Sequence, residues 1–285
     1  MKYVELVGVL KKLPLEVLDE SEVGEYARRI ATYVTGEEML KIKLENIDID
    51  DHAVMSIIER IGINEPLQYI LGYEWFGPLK INVDKNVLIP RPETVELVYH
   101  IRDFIKENNL TGSKLRVLDI GTGSGCIALL LKYLCPQAEV VALDCSEKAL
   151  AIASRNASEL GLHVDFIIED ILNPTQTHAL YDIIVSNPPY IVESEKTEMH
   201  ARVLGYEPHQ ALFVTNSDAL QFYRAIHQFS MKHLQRSGSL FLELGKDHAS
   251  KVADYFMSMS YLVQLYEDMY GLPRILKVSI DEPNP

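Results

Sequence analysis

Cysteine, tryptophan and basic residues are scarce in this chain of 285 residues, and long apolar runs are missing altogether. The three cysteines, Cys126, Cys135 and Cys145, are odd in number and contain no metal-like Cys-x-x-Cys pair. That speaks against a disulfide framework or a cysteine-held metal, and predicts reduced thiols in a cytoplasmic protein. No apolar stretch approaches the roughly 18–20 residues that cross a bilayer, so no membrane span is expected. The apolar cluster within Met1–Leu10 is broken by Glu5 and followed by acids, without a small-residue cleavage site, so a signal peptide is not expected either. Lys and Arg total 27 against 41 Asp and Glu, a net charge of −14. Such a surface repels phosphate backbones on average and disfavours broad nucleic-acid binding, though a local basic groove stays open. What remains is ordinary. With 47% hydrophobic and 24% charged residues, the chain reads as globular, one large domain with a small appendage.

Residues 1–65 carry helical periodicity. Val23, Tyr26, Ala27, Ile30 and Val34 recur at three- and four-residue steps, as do Val54, Ile57, Ile58 and Ile61. Asp50 and Asp51 are candidate caps for the second of these helices, with Gly62 and Pro66 as its stop. A small helical bundle is expected there, without a residue set that suggests chemistry. Residues 66–94 read as a connector: strand Tyr73–Phe76, turn Gly77-Pro78, strand Leu79–Val83, then the stiff Ile89-Pro90-Arg91-Pro92-Glu93-Thr94, whose prolines restrict the backbone. A helix is predicted over Thr94–Asn108, and Gly112 with Ser113 marks entry to the next unit.

In the third region, 95–285, strands and helices alternate. Strands are predicted at Arg116–Ile120, Glu139–Leu143, Val164–Ile168, Tyr181–Ser186, Ser239–Leu244, Tyr261–Glu267 and Ile275–Ile280. Helices are predicted at Cys126–Leu134, Glu147–Leu160, Ala219–Leu234 and His248–Met257, and a long polar loop runs to Gln210. The pattern implies an α/β fold with a largely parallel sheet and right-handed crossovers. Pro273 between the last two strands points to an antiparallel hairpin at the far end.

Two stretches carry the chemistry. The first, Asp119-Ile120-Gly121-Thr122-Gly123-Ser124-Gly125, sits where a strand hands over to a helix, and glycine allows a tight turn and close backbone approach to a ligand. Counted from Gly121, a dinucleotide fingerprint wants its third glycine at Cys126; counted from Gly123, it ends at Ala128, a looser match. Asp144 closes the next strand, 19 residues beyond Gly125, where an acid can accept from both ribose hydroxyls. Glu169-Asp170-Ile171 ends the third strand with an acid and an apolar residue where an adenine could rest. A glycine turn or a solvated Asp alone means little; together they favour a nucleoside site.

The second stretch is Asn187-Pro188-Pro189-Tyr190, directly after the strand Tyr181–Ser186. It suits a planar NH2 group, whose lone pair is delocalised and poorly nucleophilic. The Asn187 side-chain oxygen and the Pro188 carbonyl can accept its two hydrogens. The prolines offer no N–H and hold the carbonyls rigidly, and Tyr190 offers an aromatic wall. A proline-rich turn ending a buried strand is the bland alternative, and it explains the prolines but not the combination.

With these residues in hand, the chain resembles a class I S-adenosylmethionine-dependent methyltransferase, and more closely the HemK/PrmC family. Glu65-Pro66-Leu67-Gln68-Tyr69-Ile70-Leu71-Gly72, Ile89-Pro90-Arg91-Pro92-Glu93-Thr94, the glycine loop, Ser186-Asn187-Pro188-Pro189-Tyr190 and Tyr206-Glu207-Pro208 follow in the family's order. The resemblance implies a Rossmann-like, mostly parallel sheet with a C-terminal antiparallel hairpin, plus an N-terminal helical bundle that docks substrate. It implies methylation of the side-chain amide of the glutamine in the Gly-Gly-Gln motif of peptide chain release factors. Gly121, Thr122, Gly123, Ser124 and Gly125 would form the cofactor loop, Asp144 would bind ribose, Asp170 and Ile171 would lie at the adenine, and Asn187 would also contact the cofactor. Asn187, Pro188, Pro189 and Tyr190 would hold the glutamine. Ile171 stands where some relatives have Trp. Asp268, Gly271 and Arg274 keep a spacing seen in some relatives and receive no role.

The expected reaction is in-line attack of the amide nitrogen on the sulfonium methyl, with S-adenosylhomocysteine leaving. No strong base is needed beforehand, and orientation supplies at most ~7–11 kcal/mol. Exclusion of water would assist. The segment Ile191–Gln210 is equally readable as a closing loop or a solvated surface. One rival is an enzyme methylating an exocyclic base amine in DNA or RNA, which must extract the base and usually carries basic phosphate contacts. Others are a non-catalytic module retaining a nucleoside pocket, and a dehydrogenase. The reading expects a monomer acting on a protein, with no membrane association and no direct nucleic-acid contact.

Overall fold

The computed structural model describes residues 1–110, 115–176 and 179–280, in two compact units. Gly112 and Ser113, taken as an entry point, lie outside the described residues. The first unit is Met1–Tyr73 together with Met199–Tyr206. Its helices are α1 (Tyr3–Leu10), α2 (Val23–Thr35), α3 (Met39–Leu44), α4 (Asp51–Gly62) and α5 (Leu67–Leu71). They form where apolar residues recur on one face, and Leu6, Ile30, Ile42, Val54, Ile61 and Leu67 share one buried core. Asp50 caps α4 as expected, its carboxylate accepting from the Ala53 N–H at 2.9 Å. The expected boundary at residue 65 differs from that of the compact unit, which reaches Tyr73 because Leu67, Ile70 and Leu71 pack into the helical core. Residues 199–206 belong to the same unit through Arg202. Its guanidinium donates to Glu22 at 2.7 Å, to the Tyr26 hydroxyl at 2.8 Å and to the Val17 carbonyl at 2.7 Å.

The second unit begins at Glu74, within β1 (Tyr73–Phe76), which pairs with β2 (Leu79–Asn82) in a two-stranded sheet; α6 (Pro92–Glu107) follows and starts on its proline. After it come β3 (Arg116–Ile120), α7 (Cys126–Leu134), β4 (Glu139–Asp144), α8 (Glu147–Leu160), β5 (Asp165–Ile168) and β6 (Tyr181–Ser186). The stretch expected as a polar loop up to Gln210 instead holds β7 (Ile191–Val192), a 3-10 turn at Glu193–Glu198, α9 (Ala201–Tyr206) and a 3-10 turn at His209–Ala211. Its polar composition hid short elements held from outside, with β7 pairing to β8 (Phe213–Val214) and α9 anchored by Arg202. The chain closes with α10 (Gln221–His233), β9 (Leu234–Glu243), α11 (Ala249–Ser258), β10 (Tyr261–Glu267) and β11 (Pro273–Ile280).

Seven strands form the central sheet in the order β10-β11-β9-β6-β3-β4-β5. The β3, β4, β5, β6 and β9 pairings are parallel, and β11 is antiparallel to both β9 and β10. This is the expected α/β methyltransferase-type architecture with its C-terminal hairpin. Leu118, Ile120, Ile184, Leu240 and Leu242 sit in the core between sheet and helices, joined by Tyr223 and Ile226 of α10 and Phe256 of α11. Near-continuous apolar burial of this kind is what a parallel sheet covered by helices requires.

Candidate active site

The carboxyl ends of β3, β4, β5 and β6 stand level. Ile120 pairs with both Leu143 and Ser186, and Asp144 pairs with Ile168. Sheet order reverses direction between β3 and β6, with β4 and β5 to one side and β9 to the other. Open α/β sheets bind ligands in the crevice at such a point. Gly121, Asp144 and Asn187 meet there because each ends or directly follows one of these strands.

A cavity of about 290 Å³ occupies this position, lined by Gly121, Gly123, Asp144, Asp170, Ile171 and Asn187 among others. Pro188 and Pro189 also line it. Thr122, Ser124 and Gly125 are not in the lining; they shape the loop from behind. The Thr122 hydroxyl donates to the buried Asp119 carboxylate at 2.6 Å, and the Asn156 amide donates to the Ser124 carbonyl at 2.9 Å. Gly125 sits at φ +83°, and a Cβ there would stand 3.1 Å from that of Ala153, so only glycine lets α7 approach α8 this closely. Desolvation pushes the Asp119 carboxyl up to about 7 against the Thr122 hydrogen bond.

Asp144 accepts the Gly123 N–H on one oxygen and the Ser146 N–H on the other, both at 2.9 Å. Burial raises its pKa from the usual carboxylate value. Asp170 accepts from the Leu172 N–H at 2.9 Å and the Asn173 side chain at 3.1 Å, holding the turn after β5. Glu169 is buried and accepts from the backbones of Thr175 at 2.7 Å and Gln176 at 3.1 Å.

The Asn187 side-chain nitrogen donates to the Thr94 hydroxyl at 3.2 Å, and that hydroxyl donates to Glu243 at 2.6 Å. Tyr190 lies differently from the aromatic wall expected of it. It is not in the cavity lining but packs on the core, its ring so close to Gly245 that a Cβ there would come within 2.7 Å. Burial raises its hydroxyl pKa well above the usual phenol value.

The methyltransferase small domain family matches residues 104–213. A release factor glutamine methyltransferase of Flavobacterium psychrophilum is 43% identical, covering 84% of this chain and 83% of that one. Another, of Bacteroides thetaiotaomicron, is 45% identical and covers 78% of each. The chain belongs to the release factor glutamine methyltransferase family. Among solved structures, a human methyltransferase 10 domain containing protein shares the fold at TM-score 0.51 and 18% identity, covering 72% of this chain and 90% of that one.

Methyltransferases of this fold use S-adenosylmethionine, and the cavity fits it on its own geometry. Gly121 and Gly123 bring bare backbone to the cavity wall, and the Asp144 carboxylate, an acceptor when ionised, lines the same cavity. Among the described residues, no group of three or more His, Cys, Asp or Glu is placed to hold a metal.

Several groups in and around the cavity carry no sequence expectation. Asn86, Val87 and Leu88 line the cavity from the connector. Glu207 is buried, accepting from Arg91 at 2.6 Å and from the Ile89 N–H at 3.2 Å; it stood in a quoted motif but received no role. Glu243 was signalled only by an acid inside the apolar run Leu240-Phe241-Leu242-Glu243-Leu244. Desolvation pushes its pKa up to about 7. Arg274, in the run left without a role, reaches Asp268 at 3.2 Å and the Leu244 carbonyl at 2.9 Å, bracing the end of β9 beside Glu243.

Proposed function

We propose that this chain methylates the side-chain amide nitrogen of the glutamine in the Gly-Gly-Gln motif of peptide chain release factors. The observation that carries this reading is the shared cavity: Asn187 and Pro188 line the same space as Gly121, Gly123 and Asp144. Membership in a family of release factor glutamine methyltransferases supports the substrate.

S-adenosylmethionine, when bound, supplies an electrophilic methyl group on a sulfonium. Asp144 would receive its ribose hydroxyls, Gly121 and Gly123 would give backbone access, and Asp170 and Ile171 would lie at its adenine. Thr122, Ser124 and Gly125 hold the loop in shape. Asn187 and Pro188 would offer their oxygens to the two amide hydrogens, which favours a pyramidal nitrogen and aims its lone pair. The prolines carry no N–H, so their segment presents acceptors only. Tyr190 supports this segment from the core side. No basic side chain is required, because the amide nitrogen sheds a proton only once methylated. The protein's contribution is chiefly orientation, worth at most ~7–11 kcal/mol.

The helical unit is assigned the docking of the protein substrate. A net charge of −14 disfavours the alternative of a nucleic-acid base amine. The assignment places the enzyme in the cytoplasm, acting as a monomer. It is tested by mass spectrometry of purified release factor incubated with the chain and S-adenosylmethionine. A gain of one methyl on the Gly-Gly-Gln glutamine is expected, with Asn187→Ala slowing transfer roughly a hundredfold or more, by analogy with removal of one active-site hydrogen-bonding group. An unmodified glutamine, or methyl incorporated instead into DNA or RNA, would refute it.

A further inference from the structure

We infer that Thr94 and Glu243 are a positioning pair that fixes which way the Asn187 side-chain amide points, keeping its oxygen available to the substrate. The inference rests on the role given to Asn187 above.

The two ends of an asparagine amide are nearly equal in size and opposite in hydrogen-bonding sense, so packing alone does not choose between them. Here the choice is made by counting hydrogens. A threonine hydroxyl has one. Thr94 spends it on the Glu243 carboxylate at 2.6 Å, so toward Asn187 it presents only lone pairs. The Asn187 atom facing it at 3.2 Å must therefore be the NH2 nitrogen; the flipped amide would set oxygen against oxygen. Oδ1 is thereby turned away from Thr94, on a residue that lines the cavity. Thr94 and Glu243 are both 2% exposed, so solvent does not offer a substitute donor. The pair spans the fold, since Thr94 is on α6, Glu243 ends β9 and Asn187 follows β6.

The arrangement depends on the charge of Glu243. A protonated Glu243 could donate to Thr94, which would then be free to donate to Asn187 and admit the flipped amide. The groups facing Glu243 are Thr94 and Glu93 on α6, Tyr190 after β6 and Arg274 on β11, with Cys126 of α7 also in electrostatic range; the Tyr223 hydroxyl of α10 donates to the Glu243 carbonyl. Desolvation pushes its carboxyl up to about 7, so the orientation weakens as pH falls below that value.

The test uses the full chain, S-adenosylmethionine and purified release factor. Thr94→Val keeps the shape and removes the hydroxyl. It is expected to lower kcat by roughly tenfold to a hundredfold, the equivalent of one or two lost hydrogen bonds, with S-adenosylmethionine affinity within about twofold of the parent. Thr94→Ser is expected to restore most of the rate. The parent's kcat should fall below about pH 7, and Glu243→Gln should lack that acid limb. Full activity of Thr94→Val, or Thr94→Ser no better than Thr94→Val, overturns the pair. The side-chain 15N–1H resonances of Asn187 give a readout independent of turnover. They should shift and broaden in Thr94→Val, and unchanged resonances overturn the pair even if the parent methylates nothing. A parent that methylates no release factor while those resonances respond refutes the substrate and leaves the pair standing.

Discussion

Gly245 shows how one residue type controls the site without touching the cavity. The Tyr190 ring packs where a side chain would be, its Cδ2 standing 2.7 Å from the position of a Cβ. Tyr190 also directly follows Asn187-Pro188-Pro189 in the chain and is electrostatically linked to Glu243. Gly245→Ala must therefore displace a half-buried ring packed on the core, and overpacking of this kind costs about 1–3 kcal/mol. A urea titration should show that loss, and methyl transfer should fall further than stability accounts for, because Tyr190 ends the segment proposed to hold the substrate amide. Parent-like stability and turnover would show that the ring has room to move.

At the scale of elements, helix α7 is short and starts immediately after the glycine loop. Its start is set by Gly125 in the left-handed region, and its approach to α8 by the absence of a side chain there. An L-residue in that conformation costs about 1–2 kcal/mol before any clash with Ala153 is counted. Gly125→Ala is thus expected to lower the unfolding midpoint by at least that energy and to weaken S-adenosylmethionine binding, as read by calorimetry. Unaltered affinity would separate the helix start from the cofactor cavity. Helix α9 depends on tertiary contacts instead: none of its six residues is buried, and Arg202 holds the segment through groups 176–185 residues away, which no local pattern signals.

Across the whole molecule, burial raises three carboxyls at the carboxyl edge of the sheet: Asp119 and Glu243 to about 7, and Asp144 in direction. Unfolded, such groups titrate at the ordinary values of 3.8 for Asp and 4.5 for Glu. Between those values and about 7 the folded chain binds more protons than the unfolded one, so stability falls as pH rises through that window. His227, lowered by desolvation, acts the opposite way below its ordinary 6.5, as one group against three. Carboxyls held low, such as Asp48 and Asp103, lose their contribution only below that window. The net charge of −14 works in the same direction, since alkaline pH adds self-repulsion. The urea midpoint is expected to be higher at pH 5.5 than at pH 8, with the difference reduced by Glu243→Gln. Equal midpoints would mean these carboxyls ionise normally in the fold.

Local pattern was enough for much of this protein. The strands Arg116–Ile120 and Tyr181–Ser186, the helices Cys126–Leu134 and Glu147–Leu160, and the cap at Asp50 lie where periodicity and turn chemistry put them, because each is set by neighbours within a few residues. That Gly121, Asp144 and Asn187 stand at strand ends is likewise legible, since a strand's carboxyl end is a local property. Strand order, level register and hydrogen count were not local. Thr94, Asn187 and Glu243 lie 93 and 149 residues apart along the chain from Thr94, and only the folded sheet brings them into hydrogen-bonding distance. Which way an amide points, and whether Tyr190 lines a cavity or backs it, are decided by partners that chain connectivity does not reveal.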